Sequence, residues 1–244
     1  MDIVELRVND FPSALTTVSI GLLALAVACA VFVTVDLVRR PQPMGVMNAV
    51  WPLTMLFGSV VWLGFYLRAG RAPRRGEQPP EGQDTPRAVS VATGTSHCGA
   101  GCTLGDLIGE FALLAIPVLG VAVGLGTLYQ DRIFAGWIID FIIAFTAGIV
   151  FQYFSIAPMR GLSLKDGLLA ALKADTLSIT AWQVGMYGMM AIAQFAVLPA
   201  VLGGRAGVLT PEFWVVMQVA MVAGFACSYP VNWWLVKRGI KEAM

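Results

Sequence analysis

The residues with the greatest capacity for chemistry crowd into one stretch, SHCGAGCTLGDLIGE, at residues 96–110. It holds the single histidine, two of the four cysteines and two carboxylates. Two soft sulfurs and an imidazole, from Cys98, Cys102 and His97, suit Cu(I) or another soft metal ion that prefers sulfur and accepts low coordination. Gly99 and Gly101 let the chain turn so that both sulfurs face one ion. A lone pair at this spacing does not complete a structural zinc site, which takes four ligands. Thiols at the start of a helix are also favoured as thiolates, so Cys98 and Cys102 could exchange disulfides instead. Once a helix begins here, Cys102, Asp106 and Glu110 follow at i+4 on one face. Gly101, Gly105 and Gly109 form a neighbouring small-residue stripe that allows another helix to approach closely.

Further chemical groups interrupt the apolar runs downstream. Carboxylates inside a membrane cost several kcal/mol, which points to a functional role for Glu110 and Asp140. Asp106 is expected nearer the interface, where an arginine or water can satisfy it. Asp175 precedes TLSIT in the position of a helix N-cap. Met186 and Met190 share one helix face, and Met217 and Met221 another. These offer thioether ligands or simply fill gaps in a core. Gln152, Gln183 and Asn232 are polar enough to line a pathway or to bond between helices.

What positions these groups must be helical and membrane-bound. Of the 244 residues, 57% are hydrophobic and 13% charged, with a mean hydropathy of +0.75, far from the ~25% charge of soluble domains. The net charge of +1 gives no basic surplus for nucleic acid. Two cysteines, Cys29 and Cys227, lie within apolar runs, so the four do not read as a secreted disulfide framework. Spans need about 20 apolar residues, and six runs qualify: roughly 15–38, 44–67, 104–126, 133–157, 177–202 and 212–237. Backbone inside a bilayer must bond internally. The expected fold is therefore an all-α integral membrane protein with six transmembrane helices. It divides into an N-terminal helix pair in residues 1–67, a disordered Pro/Gly/Arg-rich linker at 68–95, and a four-helix bundle in 96–244.

If all six cross, both termini and the 68–101 loop share a side with twelve Lys and Arg, against Arg39, Arg40, Arg132 and Arg205 on the other. The positive-inside rule makes that richer side cytoplasmic, in a bacterial inner membrane. One local signal disagrees: the first helix has one Arg before it and two after it. The acidic leader MDIVELRVNDFPSA and the long run behind it do not read as a cleavable signal peptide.

The segments SHCGAGCTLGDLIGE, FQYFSIAPMRGL, ALKADTLSITAWQVGMYG and SYPVNWWLVKRGIKEAM resemble a bacterial membrane family known only as a domain of unknown function. The resemblance covers about residues 96–244 and implies a compact four-helix unit centred on the His-Cys motif, but no reaction. The residues themselves suggest a protein that binds and transports a soft metal ion, Cu(I) foremost, at His97, Cys98 and Cys102. In that reading Asp106, Glu110 and Asp140 supply charge compensation or a proton path. The alternatives are a membrane thiol-disulfide oxidoreductase and a non-catalytic scaffold or assembly factor, and nothing requires an enzyme. The lipid bilayer is the expected partner, and a homo-oligomer packed through the glycine stripe is an option.

Overall fold

In the computed structural model of the chain, residues 4–74 and 85–241 are described, apart from the side chains of 157–160. Residues 75–84, the middle of the expected linker, lie outside them. Helices α1 (Ser13–Arg39), α2 (Met47–Phe65), α3 (Arg87–Ala115), α4 (Val118–Ala122), α5 (Arg132–Arg160), α6 (Leu164–Ile192), α7 (Leu198–Leu202) and α8 (Pro211–Lys237) follow one another. A two-residue strand precedes α1 (β1, Glu5–Leu6) and another precedes α8 (β2, Arg205–Ala206). Six stretches are long and apolar enough to cross a membrane: α1, Met47–Gly70, α3, Arg132–Ile156, Leu164–Leu202 and α8.

The second stretch does not run end to end. Ser59 breaks α2 with φ 46° and ψ −130°, and the chain doubles back there. The Trp51 ring lies 5.6 Å from that of Phe65 and 5.3 Å from that of Tyr66, whereas a straight helix would separate them by about 20 Å. The segment is a helical hairpin with its tip at Gly58 and Ser59. Asp36 of α1 pins its base: one carboxylate oxygen accepts from Tyr66 Oη at 2.9 Å and Arg71 Nε at 2.8 Å, the other from Arg71 Nη2 at 2.6 Å. Sequence periodicity contains no sign of the fold-back, because both arms are equally apolar.

The hairpin changes which ends of the chain meet. β1 pairs in parallel with β2, and the Thr16 hydroxyl donates to Glu212 at the start of α8. The N-terminal strand therefore sits where α6 joins α8. Arg71, the start of α3, the turn between α5 and α6, and Lys241 lie at the opposite end. The expectation that both termini share an end is thus corrected, because only five of the six stretches run from one end to the other. Arg7, Arg132 and Arg205 are the cations at the N-terminal end among the described residues. Arg39 and Arg40 now join Arg71 and the C-terminal cations, which removes the local disagreement around α1.

Helix α3 starts 17 residues before the expected 104. The polar run ahead of the cysteines forms helix because its hydroxyls bond back to carbonyls one turn earlier: Thr93 to Val89 at 3.0 Å, Thr95 to Val91 at 2.8 Å and Ser96 to Ala92 at 2.9 Å. Residues 87–95, expected as linker, are thus helical. The far end stops at Ala115, where Pro117 blocks continuation. Helix α6 likewise starts at Leu164 and not 177, capped by Ser163 Oγ, which accepts from Asp166 N at 3.2 Å.

Helices α3, α5, α6 and α8 form the bundle, with α1 and the hairpin packed against α3 and α8. The glycine stripe serves α5 within the same chain. A Cβ added at Gly105 would stand 2.8 Å from Ala144 N, and one at Gly101 3.1 Å from Gly148 N, so the backbones meet almost directly.

Candidate functional site

His97, Cys98 and Cys102 lie about three to four turns inside α3 and are wholly buried. They are not at an entrance. One residue apart on a helix means about 100° apart around it, and His97 and Cys98 face different neighbours. His97 Nε2 pairs with Ser155 Oγ of α5 at 3.0 Å, while its Nδ1 has no partner among the described residues. Cys98 Sγ turns toward α6 and α8. It lies 2.9 Å from Ser178 Oγ, 3.5 Å from Asp175 Oδ1 and 3.3 Å from Lys241 Nζ. Among the described residues, no three His, Cys, Asp or Glu side chains are grouped where they could hold a metal ion.

Lys241 is the residue that sequence reasoning missed. Beyond α8 the chain reverses at Gly239 (φ 69°), where glycine avoids the steric cost of a left-handed turn. Ile240 N then bonds to Leu235 O at 3.0 Å. The reversal drives Lys241 into the bundle, where Nζ meets Asp175 Oδ1 at 2.6 Å, with side chains 1% and 0% exposed. Burial alone would lower the pKa of Lys241, but Asp175 and Cys98 outweigh it and push the group up to about 12. Asp175 is accordingly no N-cap; it sits three turns into α6 as the counter-charge of the C-terminal tail. Asn232 completes this inner cluster, donating from Nδ2 to Ser178 Oγ at 2.7 Å and to Ser228 O at 3.0 Å.

Farther along α3 the partners run out. Asp106 and Asp140 are 1% and 0% exposed, and none of their four carboxylate oxygens has a partner among the described residues. Asp140 rests in the notch left by Gly109, where a Cβ would collide with its carboxylate. The charges of Asp106, Glu110 and Asp140 lie within electrostatic range of one another. Gln152 and Gln183, also buried, have no partner for either amide atom among the described residues.

Glu110 opens onto a small cavity of about 50 Å³ at the N-terminal end, shared with Glu5, Asp131, Arg132, Gln194 and Arg205. Arg205 is paired with Asp131, and Arg132 supplies the positive charge that acts on Glu110. Met186, Met190, Met217 and Met221 are all buried in the main core, and Met217 and Met221 also line an apolar cavity with Asp106. Cys98 itself is engaged by Ser178, Asp175 and Lys241.

The chemically capable groups thus form two clusters joined by Cys102. At the C-terminal end are Lys241, Asp175, Cys98, Ser178 and Asn232. Toward the N-terminal end are Asp106, Asp140 and Glu110, followed by the charged cavity. The family model described as "Domain of unknown function (DUF4396)" matches residues 89–241, and the chain belongs to that family. The match takes in both clusters, while α1 and the hairpin fall outside it. No curated protein and no solved structure matches.

Proposed function

We propose that this member of the family is a membrane transporter that relays protons or a small cation along the buried track from Glu110, through Asp140 and Asp106, to Cys102, Cys98 and Asp175. The observation that carries the reading is the set of four carboxylate oxygens on Asp106 and Asp140, buried and without partners. Three carboxylates in mutual range inside an apolar bundle need positive charge to balance them. A proton or a cation passing through supplies it, and the buried Gln152 and Gln183 have donors and acceptors without partners among the described residues.

In this reading five helices cross the bilayer and the hairpin enters from and returns to the cytoplasmic side. The cation-rich end, holding Arg39, Arg40, Arg68, Arg71, Lys165, Lys173, Lys237 and Arg238, is cytoplasmic by the positive-inside rule, and the N-terminus is outside. Lys241 closes the cytoplasmic end of the track, because its ammonium already occupies the place beside Asp175 and Cys98 that a passing cation would take. A soft-metal cargo is a second reading, favoured by Cys98 and Cys102 standing one turn apart. It requires Lys241 to withdraw first.

Reconstitution tests the proposal. Vesicles containing the protein should dissipate an imposed pH gradient or take up a monovalent cation faster than empty vesicles, and Asp140→Asn should abolish the difference. Equal rates for empty, wild-type and variant vesicles would refute it.

A further inference from the structure

Beside the track lies a cavity that the relay does not need. It occupies about 280 Å³ between α1, the hairpin tip, α3 and α8, walled by Ala26, Phe57, Phe111, Trp214 and Met217, with Asp106 among its lining residues. That is roughly twice the ~150 Å³ apolar void that holds benzene. It has room for an aromatic ring with a quaternary head. Its rim includes Val27 and Phe111, 53% and 47% exposed on the apolar flank of the bundle, so it opens sideways toward the hydrocarbon and not toward water.

We infer that this cavity binds a lipophilic ammonium ion, with Asp106 as its counter-charge. The carboxylate is 1% exposed, and both of its oxygens lack partners among the described residues. The carboxylates in range of it are Glu110 and Asp140. Thr103, the nearest hydroxyl on the wall, already donates to Gly99 O at 2.8 Å, and Gln218 Nε2 donates to Leu56 O at 2.6 Å. Mg2+ or Ca2+ would need six or more oxygen ligands, which these walls do not offer. An ammonium ion carried on an apolar body needs one anion and apolar contact for the rest. The stacked rings of Phe111 and Trp214, 5.5 Å apart, add aromatic surface of the kind that attracts cations.

The inference shares Asp106 with the proposed relay but concerns binding, which needs neither a gradient nor flux. Equilibrium dialysis of labelled benzyltrimethylammonium against the purified full chain in detergent, with empty micelles as the blank, tests it. The expected result is saturable binding of one ion per chain, weakened tenfold or more in Asp106→Asn, since removing one partner of a buried charge pair is costly. Ala26→Leu, which narrows the void and leaves the carboxylate intact, should also weaken binding; it keeps the test decisive if Asp106→Asn does not fold. Neopentylbenzene, the neutral isostere, should compete at least tenfold less well. The inference is overturned if the wild type does not bind, if Asp106→Asn binds as tightly, or if the neutral isostere competes equally. Binding without flux would leave this site standing and remove the relay, and flux without binding would do the reverse.

Discussion

Replacing Lys241 by Met keeps the length of the side chain and removes its charge, leaving Asp175 as an uncompensated carboxylate at 0% exposure. Breaking a buried ion pair from one side costs about 3–5 kcal/mol, whereas removing both charges is often close to neutral. The 2.6 Å contact is fully enclosed, and Cys98 supplies a further hydrogen-bond partner at 3.3 Å, so Lys241→Met and Asp175→Asn should each fall in that range. The double variant should recover most of the loss, giving a coupling of about 5 kcal/mol or more. Reversible unfolding in mixed micelles by titration with SDS measures all four corners of the cycle. Maleimide labelling of Cys98 provides the structural readout, because its sulfur should become reactive when the tail is released. A Lys241→Met protein within about 1 kcal/mol of wild type, with Cys98 still protected, would refute the buried Lys241–Asp175 pair, since it would mean that the lysine of the wild type rests at the interface and snorkels to water.

Asn9→Cys should react with an impermeant maleimide from outside intact cells and Leu164→Cys should not, both in a Cys227→Ser background; equal reactivity would contradict the opposed termini. Ser59→Gly should stabilise the hairpin by about 1 kcal/mol by relieving a strained positive φ, while Ser59→Val should destabilise it; both are read from the same SDS titration. Gly105→Ala should cost about 1–3 kcal/mol, because its new methyl would stand 2.8 Å from the Ala144 backbone nitrogen; an unchanged midpoint would show that α3 and α5 are free to separate.

The apolar runs and the Cys102, Asp106, Glu110 row were legible because both depend on local spacing. The glycine stripe was legible for the same reason, and only its partner, α5, had to come from the fold. The hairpin was not legible, since a reversal at Ser59 leaves the hydropathy of Met47–Gly70 unchanged and no glycine or proline stands at the reversing residue itself. That single turn moved the N-terminus to the other end. The start of α3 was hidden by serine and threonine hydroxyls that read as loop but bond within the helix. The pairing of Lys241 with Asp175 joins residues 66 positions apart. A lone aspartate within a helical run was its one trace in the sequence, and a local capping role explained that trace equally well. The soft-metal expectation rested on residues adjacent in sequence, yet His97 and Cys98 engage different helices, α5 on one side and α6 on the other.

The central claim, a track of buried carboxylates closed at one end by a tethered lysine, is tested most directly by proton flux under a potassium diffusion potential. Wild type, Asp106→Asn, Asp140→Asn and Lys241→Met should be compared in proteoliposomes with equal amounts of inserted protein. The account predicts a measurable rate for wild type, a rate at the level of empty vesicles for both aspartate variants, and a faster rate than wild type for Lys241→Met. Aspartate variants that carry protons as fast as wild type would contradict it.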